Sequence, residues 1–202
     1  MNLTRPGTIV VVGLIALGAA IYLTLPTIFG DLASLKRIDV PVGPKIGYIP
    51  SPRPVVDQML ELAAVGPDDV VVDLGSGDGR ILIAAAKNYG ARGIGIERDP
   101  KMVERSRQNI RDAGVEDLIE IRLGDIFQSD FSEATVVTLY LLPELNDRLL
   151  PQLKLLKPGT RIVSHEFGIT DCVPEKVVTI PSTQPDHDQH RVLLWKTPLV
   201  DK

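Results

Sequence analysis

Residues 70–79 read Val-Val-Val-Asp-Leu-Gly-Ser-Gly-Asp-Gly. A short β-branched apolar run, Val70–Leu74, carries an acid at Asp73 and then breaks into glycines at 75, 77 and 79. An apolar run of this length, bounded by turn residues, predicts a buried parallel strand. The glycines let the backbone turn tightly and come close to a ligand. A helical pattern follows over 80–88. The loop therefore feeds a helix N-terminus, which is the nucleotide-binding arrangement of a βα unit.

The spacing narrows the ligand. The dinucleotide fingerprint G-x-G-x-x-G admits a pyrophosphate at the helix N-terminus. Here the spacing is G-x-G-x-G with Asp73 just before it. A carboxylate in that loop repels a pyrophosphate and suits a cationic amino-acid moiety, which disfavours a dehydrogenase. The pattern resembles the glycine motif of class I S-adenosylmethionine (SAM) methyltransferases. The next apolar run, Gly93–Ile96, ends in Glu97, 24 residues beyond Asp73. An acid about 20 residues past a glycine loop normally holds ribose hydroxyls. The run Ile119–Leu123 continues into Gly124-Asp125-Ile126-Phe127. In the methyltransferase pattern an acid there bonds the adenine amino group, and an apolar neighbour packs on the ring. Each acid alone reads equally as a helix cap or turn residue. Together they end three successive strands, where open α/β sheets bind ligands.

Composition sets the bounds. The 202 residues suffice for one domain with a sizeable core. Net charge is −4 with no basic run, which argues against a nucleic-acid partner. A single cysteine, Cys172, excludes a disulfide framework. His187, Asp188 and His190 lie close in sequence, with His165 and Glu166 elsewhere. Their spacing fits no common zinc pattern. The expectation is a turn carrying surface histidines, and no metal.

From Pro6 to Gly30 there are 25 residues without a charge, most of them apolar. That is long enough to span a hydrocarbon core. Gly18-Ala19-Ala20 offers the small residues of a signal-peptide cleavage site, but the apolar run continues through Ile28 and Phe29. A secreted product would also be parted from SAM, so an uncleaved anchor is expected. Lys36, Arg37, Lys45 and Arg53 follow the stretch and only Arg5 precedes it. The positive-inside rule then predicts a single-pass protein of a prokaryotic inner membrane, its catalytic domain facing the cytoplasm. Three segments result: an anchor over 1–30, a proline-rich linker and cofactor lid over 31–53, and a catalytic domain over 54–202.

Within the last segment, apolar runs at strand spacing fall at 70–74, 93–96, 119–123, 134–142 and 161–167. Helical patterns fall at 54–65, 80–88, 100–113 and 144–156. Alternation of this kind predicts a parallel, doubly wound sheet. Glu175–Ile180 and Arg191–Lys196 are two apolar runs joined by a polar loop, which reads as an antiparallel hairpin. The predicted class is α/β: a Rossmann-like, seven-stranded class I methyltransferase closed by a C-terminal hairpin and preceded by one transmembrane helix.

Three further stretches sharpen the resemblance: Tyr48-Ile-Pro-Ser-Pro52, Ala134-Thr-Val-Val-Thr-Leu-Tyr-Leu-Leu-Pro143 and Lys157-Pro-Gly-Thr-Arg-Ile-Val-Ser-His-Glu-Phe167. With the glycine loop, they make residues 46–196 similar to the archaeal broad-specificity protein-lysine methyltransferases. They are also similar to the mitochondrial relatives that methylate lysine on the c-ring protein of ATP synthase and on the adenine nucleotide translocase. The resemblance implies SAM as cofactor. It implies contacts from Tyr48, Pro50 and Ser51 on the lid, and from Asp73, Gly75, Ser76 and Gly77 on the glycine loop. It implies further contacts from Glu97 and Arg98, and from Gly124, Asp125, Ile126 and Phe127. Tyr140 borders both cofactor and methyl-transfer centre, and the catalytic candidates are Tyr140 and Glu166. The implied partner is a protein lysine, membrane-embedded if the anchor holds.

The chemistry agrees. Enzymes that methylate amide or adenine nitrogen usually carry Asn/Asp-Pro-Pro-Tyr after the fourth strand, whose polar atoms hold a planar nitrogen. This chain has Leu139-Tyr140-Leu141-Leu142-Pro143, which suits an aliphatic amine. Lysine must lose a proton first, from a pKa of about 10.4. A desolvated channel lowers that value, so no dedicated strong base is required. Tyr140 reads either as a channel residue or as a core aromatic, and Glu166 as a substrate-side acid or a satisfied strand end. Glu144 and Asn146 are expected to cap the next helix or touch substrate. Two readings stay open beside protein methylation: a membrane-associated small molecule or lipid as acceptor, and a SAM-binding adaptor without turnover.

Overall fold

Valines dominate the opening strand because parallel strands are covered on both faces. The computed structural model describes residues 48–182 and 188–201. Helix α1 (Arg53–Leu62) comes first, followed by strand β1 (Val70–Leu74), α2 (Arg80–Tyr89), β2 (Arg92–Glu97), α3 (Pro100–Ala113) and β3 (Ile119–Leu123). Next come β4 (Val136–Leu139), α4 (Pro143–Leu153), β5 (Arg161–His165), β6 (Lys176–Pro181) and β7 (Gln189–Lys196). One seven-stranded sheet runs in the order β3-β2-β1-β4-β5-β7-β6. The first five strands are mutually parallel, and β7 pairs antiparallel with both β5 and β6. The order reverses between β1 and β4, and such a switch point opens a crevice at the carboxyl ends of the strands.

Two apolar clusters, one on each side of the sheet, hold the layers. One gathers Val55, Met59 and Leu60 of α1 with Leu82 and Ala85 of α2 and Val103 and Ile110 of α3. The other gathers Leu149 and Leu153 of α4 with Phe131, Ile162 and Trp195. Burying each large side chain contributes roughly 1.5–3 kcal/mol. The loops leave the helices with local signals. Asp99 caps α3, its carboxylate accepting from the Lys101 N–H at 2.9 Å, and Pro100 fills the first helical position. An ion pair between Arg161 and Asp69 joins β5 to the turn before β1, while Thr135 donates its hydroxyl to the same carboxylate at 2.6 Å. These bonds hold Asp69 below the usual carboxylate range, outweighing the opposing effect of burial.

Several boundaries differ from the sequence expectation. Strand β4 spans Val136–Leu139 rather than 134–142, because Ala134 closes a turn onto the Phe131 carbonyl at 3.0 Å and Leu142 caps α4. Strand β5 stops at His165 rather than 167, where Glu166 takes φ +64 and turns the chain. The fold class itself needs one correction. Among the described residues no helix is long and apolar enough to cross a membrane. Helix α3 has 14 residues, about 21 Å at the helical rise, against roughly 30 Å of hydrocarbon. The architecture is therefore the seven-stranded sheet with its hairpin, without the transmembrane helix expected ahead of it. The apolar stretch 6–30, on which that expectation and the membrane assignment were placed, lies outside the described residues.

Candidate active site

The carboxyl ends of β1, β2 and β3 form one wall of the crevice. Asp73 lies next to Gly95 on one side and Thr138 on the other. It is buried, and the Thr138 hydroxyl donates to it at 2.7 Å. Burial pushes its carboxyl up to about 7; the Thr138 bond opposes that, and the charges of Glu97 and Asp78 reinforce it. The glycine loop is pinned to β2: the Gly75 and Ser76 N–H groups both donate to the Ile96 carbonyl, at 2.9 and 3.2 Å. Close packing here demands glycine on the strand as well. A Cβ on Gly95 would lie 2.6 Å from both Ser76 Oγ and Ile121 Cδ1. On Gly77, whose φ is +52, it would lie 2.4 Å from the Tyr48 ring.

Glu97 serves as the hub of this wall. One carboxylate oxygen accepts from the Gly77 N–H at 3.0 Å, and the other accepts from the Arg98 and Asp99 N–H groups at 2.8 and 2.9 Å. Asp125 caps its own turn, accepting from the Phe127 N–H at 3.0 Å and the Gln128 amide at 3.3 Å. Gly124 donates back to the Glu97 carbonyl at 2.9 Å, which sets the two acids side by side. Ile126 and Phe127 are half-buried, and the Arg148 guanidinium lies 3.8 Å above the Phe127 ring.

A clip absent from the sequence reading holds the lid. Arg80 pairs with Asp78 at 2.7 Å and donates to the Ser51 carbonyl at 3.0 Å. Asp78 is held below the ordinary carboxylate range by Arg80 and the Tyr48 phenol, against the pull of burial. Burial and the Asp78 bond push Tyr48 up to about 12. Tyr48 and Pro50 are exposed and Ser51 is buried. The local spacing Asp-Gly-Arg is the signal that would have predicted the clip.

The second wall is built by β4, β5 and the hairpin. The half-buried Tyr140 ring packs on His165 with centroids 4.0 Å apart. Burial, then the Glu166 charge, push its phenol above the usual range. His165 Nδ1 lies 2.9 Å from Ser51 Oγ, and its Nε2 lies 3.2 Å from His190 Nδ1. Glu166 Oε1 is 3.1 Å from His190 Nδ1 and 3.5 Å from His165 Nε2. His165 is 0% exposed and His190 5%. The expected turn of surface histidines is corrected here: pairing of β7 with β5 and β6 draws His190 inward, and His187 lies outside the described residues. His165, Glu166 and His190 instead form a compact set of metal-ligating groups. Asn146 does not cap α4. Its amide donates to the Phe167 and Gly168 carbonyls at 3.2 Å each, and Leu142 takes the N-cap position.

A strand-switch crevice with three acids on one wall and an apolar, Tyr-bearing rim on the other defines a SAM-dependent methyltransferase of the class I fold. The chain belongs to the family of the ANTKMT methyltransferase domain, which matches residues 73–176. It is similar to a protein-lysine N-methyltransferase of Saccharolobus islandicus, 44% identical over 71% of this chain and 91% of that protein. It is 30% identical to the lysine N-methyltransferase of the ATP synthase c-ring protein from Xenopus laevis, over 73% of this chain and 68% of the relative. Among solved structures, a Salinibacter ruber protein described as an RNA methyltransferase in complex with S-adenosyl-L-homocysteine superposes with a TM-score of 0.68. It is 52% identical and covers 74% of this chain and 94% of its own.

The residues present fit SAM. Ser76 Oγ is buried without a hydrogen-bond partner among the described residues, and the Asp73 carboxylate is buried without a cation. Such groups are costly unless a ligand completes them. The loop between them leaves no room for side chains at positions 77 and 95.

Proposed function

We propose that this chain is a SAM-dependent protein-lysine N-methyltransferase. The observation that carries the reading is the acceptor side of the crevice. Its rim is Leu141, Leu142 and the Tyr140 ring, and the polar groups beside it are Glu144, Glu166 and Asp188, with Arg191. Apolar walls accept an aliphatic stem, and carboxylates draw an ammonium toward the mouth while repelling phosphate. The resemblance to lysine methyltransferases of archaea and mitochondria supports the same substrate class.

Asp73 holds the amino group of the cofactor, Glu97 its ribose hydroxyls, and Asp125 its adenine amine between Ile126 and Phe127. Gly75, Ser76 and Gly77 let the loop close on its amino-acid end, with Arg98 and Gly124 shaping the adjoining turns. Tyr48, Pro50 and Ser51 cover it, tied down by Arg80. Bound SAM supplies an electrophilic methyl on a positively charged sulfur. Tyr140 lines the channel through which the amine arrives and excludes water there. Desolvation in that channel lowers the lysine pKa, so positioning carries most of the rate. The reaction belongs on the cytoplasmic side, where SAM is made.

RNA is the competing acceptor, because the Salinibacter ruber relative is described as an RNA methyltransferase. A net charge of −4 without a basic run supports protein instead. The test incubates full-length protein with tritiated SAM and an extract from cells lacking the gene. Protein, RNA and lipid are then separated, with Asp73→Asn as control. Discrete labelled protein bands carrying methyl-lysine by mass spectrometry support the proposal; label confined to RNA or lipid overturns it.

A further inference from the structure

We propose that His165, Glu166 and His190 bind one divalent transition-metal ion of the zinc class. The three inward-facing atoms are His165 Nε2, His190 Nδ1 and Glu166 Oε1, with mutual separations of 3.2, 3.1 and 3.5 Å. Bond lengths of about 2.0–2.1 Å give a tetrahedral zinc site an edge of roughly 3.3 Å. The triangle therefore matches one face of such a site. Hydrogen bonding serves this triangle less well. A proton between two of the atoms satisfies that pair and leaves the third lone pair facing another lone pair. A cation above the face satisfies all three.

The surroundings have the form of a metal site. Ser51 Oγ lies 2.9 Å from His165 Nδ1. With that nitrogen donating to the hydroxyl, the Nε2 lone pair is turned toward Glu166 and His190, the usual way an outer hydrogen bond orients a ligating imidazole. Arg191 approaches the other Glu166 oxygen, Oε2, at 3.9 Å, although its backbone N–H also reaches Oε1 at 3.3 Å. The positive φ of Glu166 folds the carboxylate back under the imidazoles. A cleft lined by Glu166, Asp188, Gln189 and Arg191 gives an ion a path from solvent and leaves space for a water as fourth ligand. Two nitrogens and one carboxylate oxygen favour zinc, cobalt or nickel over magnesium or calcium. The ion would clamp the start of β7 to the end of β5, beneath the Tyr140 ring.

The test uses untagged full-length protein stripped with chelator. Zinc retained after gel filtration is counted by mass spectrometry, and cobalt is added separately to read coordination from its visible spectrum. The expected result is one equivalent of zinc and the intense visible bands of four-coordinate cobalt. Glu166→Gln and His190→Ala should each weaken zinc binding at least 100-fold, and Ser51→Ala by about 10- to 100-fold, as outer partners of ligands do. Cys172→Ser, at a buried thiol elsewhere, should leave retention unchanged. The wild-type readings decide the matter even if a variant fails to fold. Zinc well below one equivalent, or a cobalt spectrum matching the free ion, overturns the site; so does full retention in folded Glu166→Gln.

Discussion

The two walls of the crevice are made differently. The cofactor wall is local: Asp73, Glu97 and Asp125 each end a strand, and backbone N–H groups within a few residues complete their bonds. The acceptor wall is long-range: Ser51 meets His165 across 114 positions, and His165 meets His190 across 25. A wall built from strand ends and glycines follows from the chain's own order. A wall built from distant side chains exists only once the hairpin has docked. The first should tolerate damage in the second, and binding should separate from turnover.

The sharpest break in that comparison is Asp73→Asn. Replacing a charge-assisted bond to a cationic ligand should cost about 100-fold in SAM affinity, near the upper end for bonds to charged groups. Calorimetry measures it, and an affinity within threefold of wild type would remove Asp73 from the cofactor wall. The same residue predicts opposite pH trends for binding and stability. Its folded pKa of about 7 lies above the unfolded value, so the folded state binds the extra proton. Its contribution to stability is full below about pH 4 and is lost as pH rises toward 7. SAM affinity should rise over the window around 7, as the carboxylate ionises to meet the cation. A flat binding profile from pH 6 to 8 would contradict that. Asp73→Asn should lack both slopes.

Gly95→Ala sharpens the cofactor wall without touching ligand. The added methyl meets Ser76 and Ile121 at 2.6 Å, so overpacking should cost about 1–3 kcal/mol in thermal or urea unfolding. The smallest effect is expected at Tyr140→Phe. Removing its hydroxyl should lower kcat several-fold while SAM affinity stays within twofold. A comparable loss in SAM affinity would place Tyr140 on the cofactor wall and blur the division.

The legible part of this protein is the part with short-range causes. Val70–Gly79 announces a strand, a turn and a helix by composition alone, and the acids at 97 and 125 fall at the ends of later runs. The hairpin was visible as two apolar runs, but its register was not. That register pairs His165 with Val192 and places His190 on the buried side. Read singly, His165 and His190 gave no hint of each other. The Arg80 clip on Ser51 was hidden for the same reason, since neither residue implies the other across 29 positions. Asn146, expected as a cap, was drawn to the loop after β5 by two carbonyls there.

Periodicity, glycine spacing and strand-end acids by themselves determined the sheet, the cofactor and the methyltransferase class. These depend on backbone geometry and on chain order, which a single sequence carries. Tertiary structure alone decided the chemistry of the acceptor wall. Antiparallel docking of β7 on β5 converts residues without shared spacing into a buried His-Glu-His set against Tyr140. No local rule encodes that contact, because its cause is the packing of two distant strands.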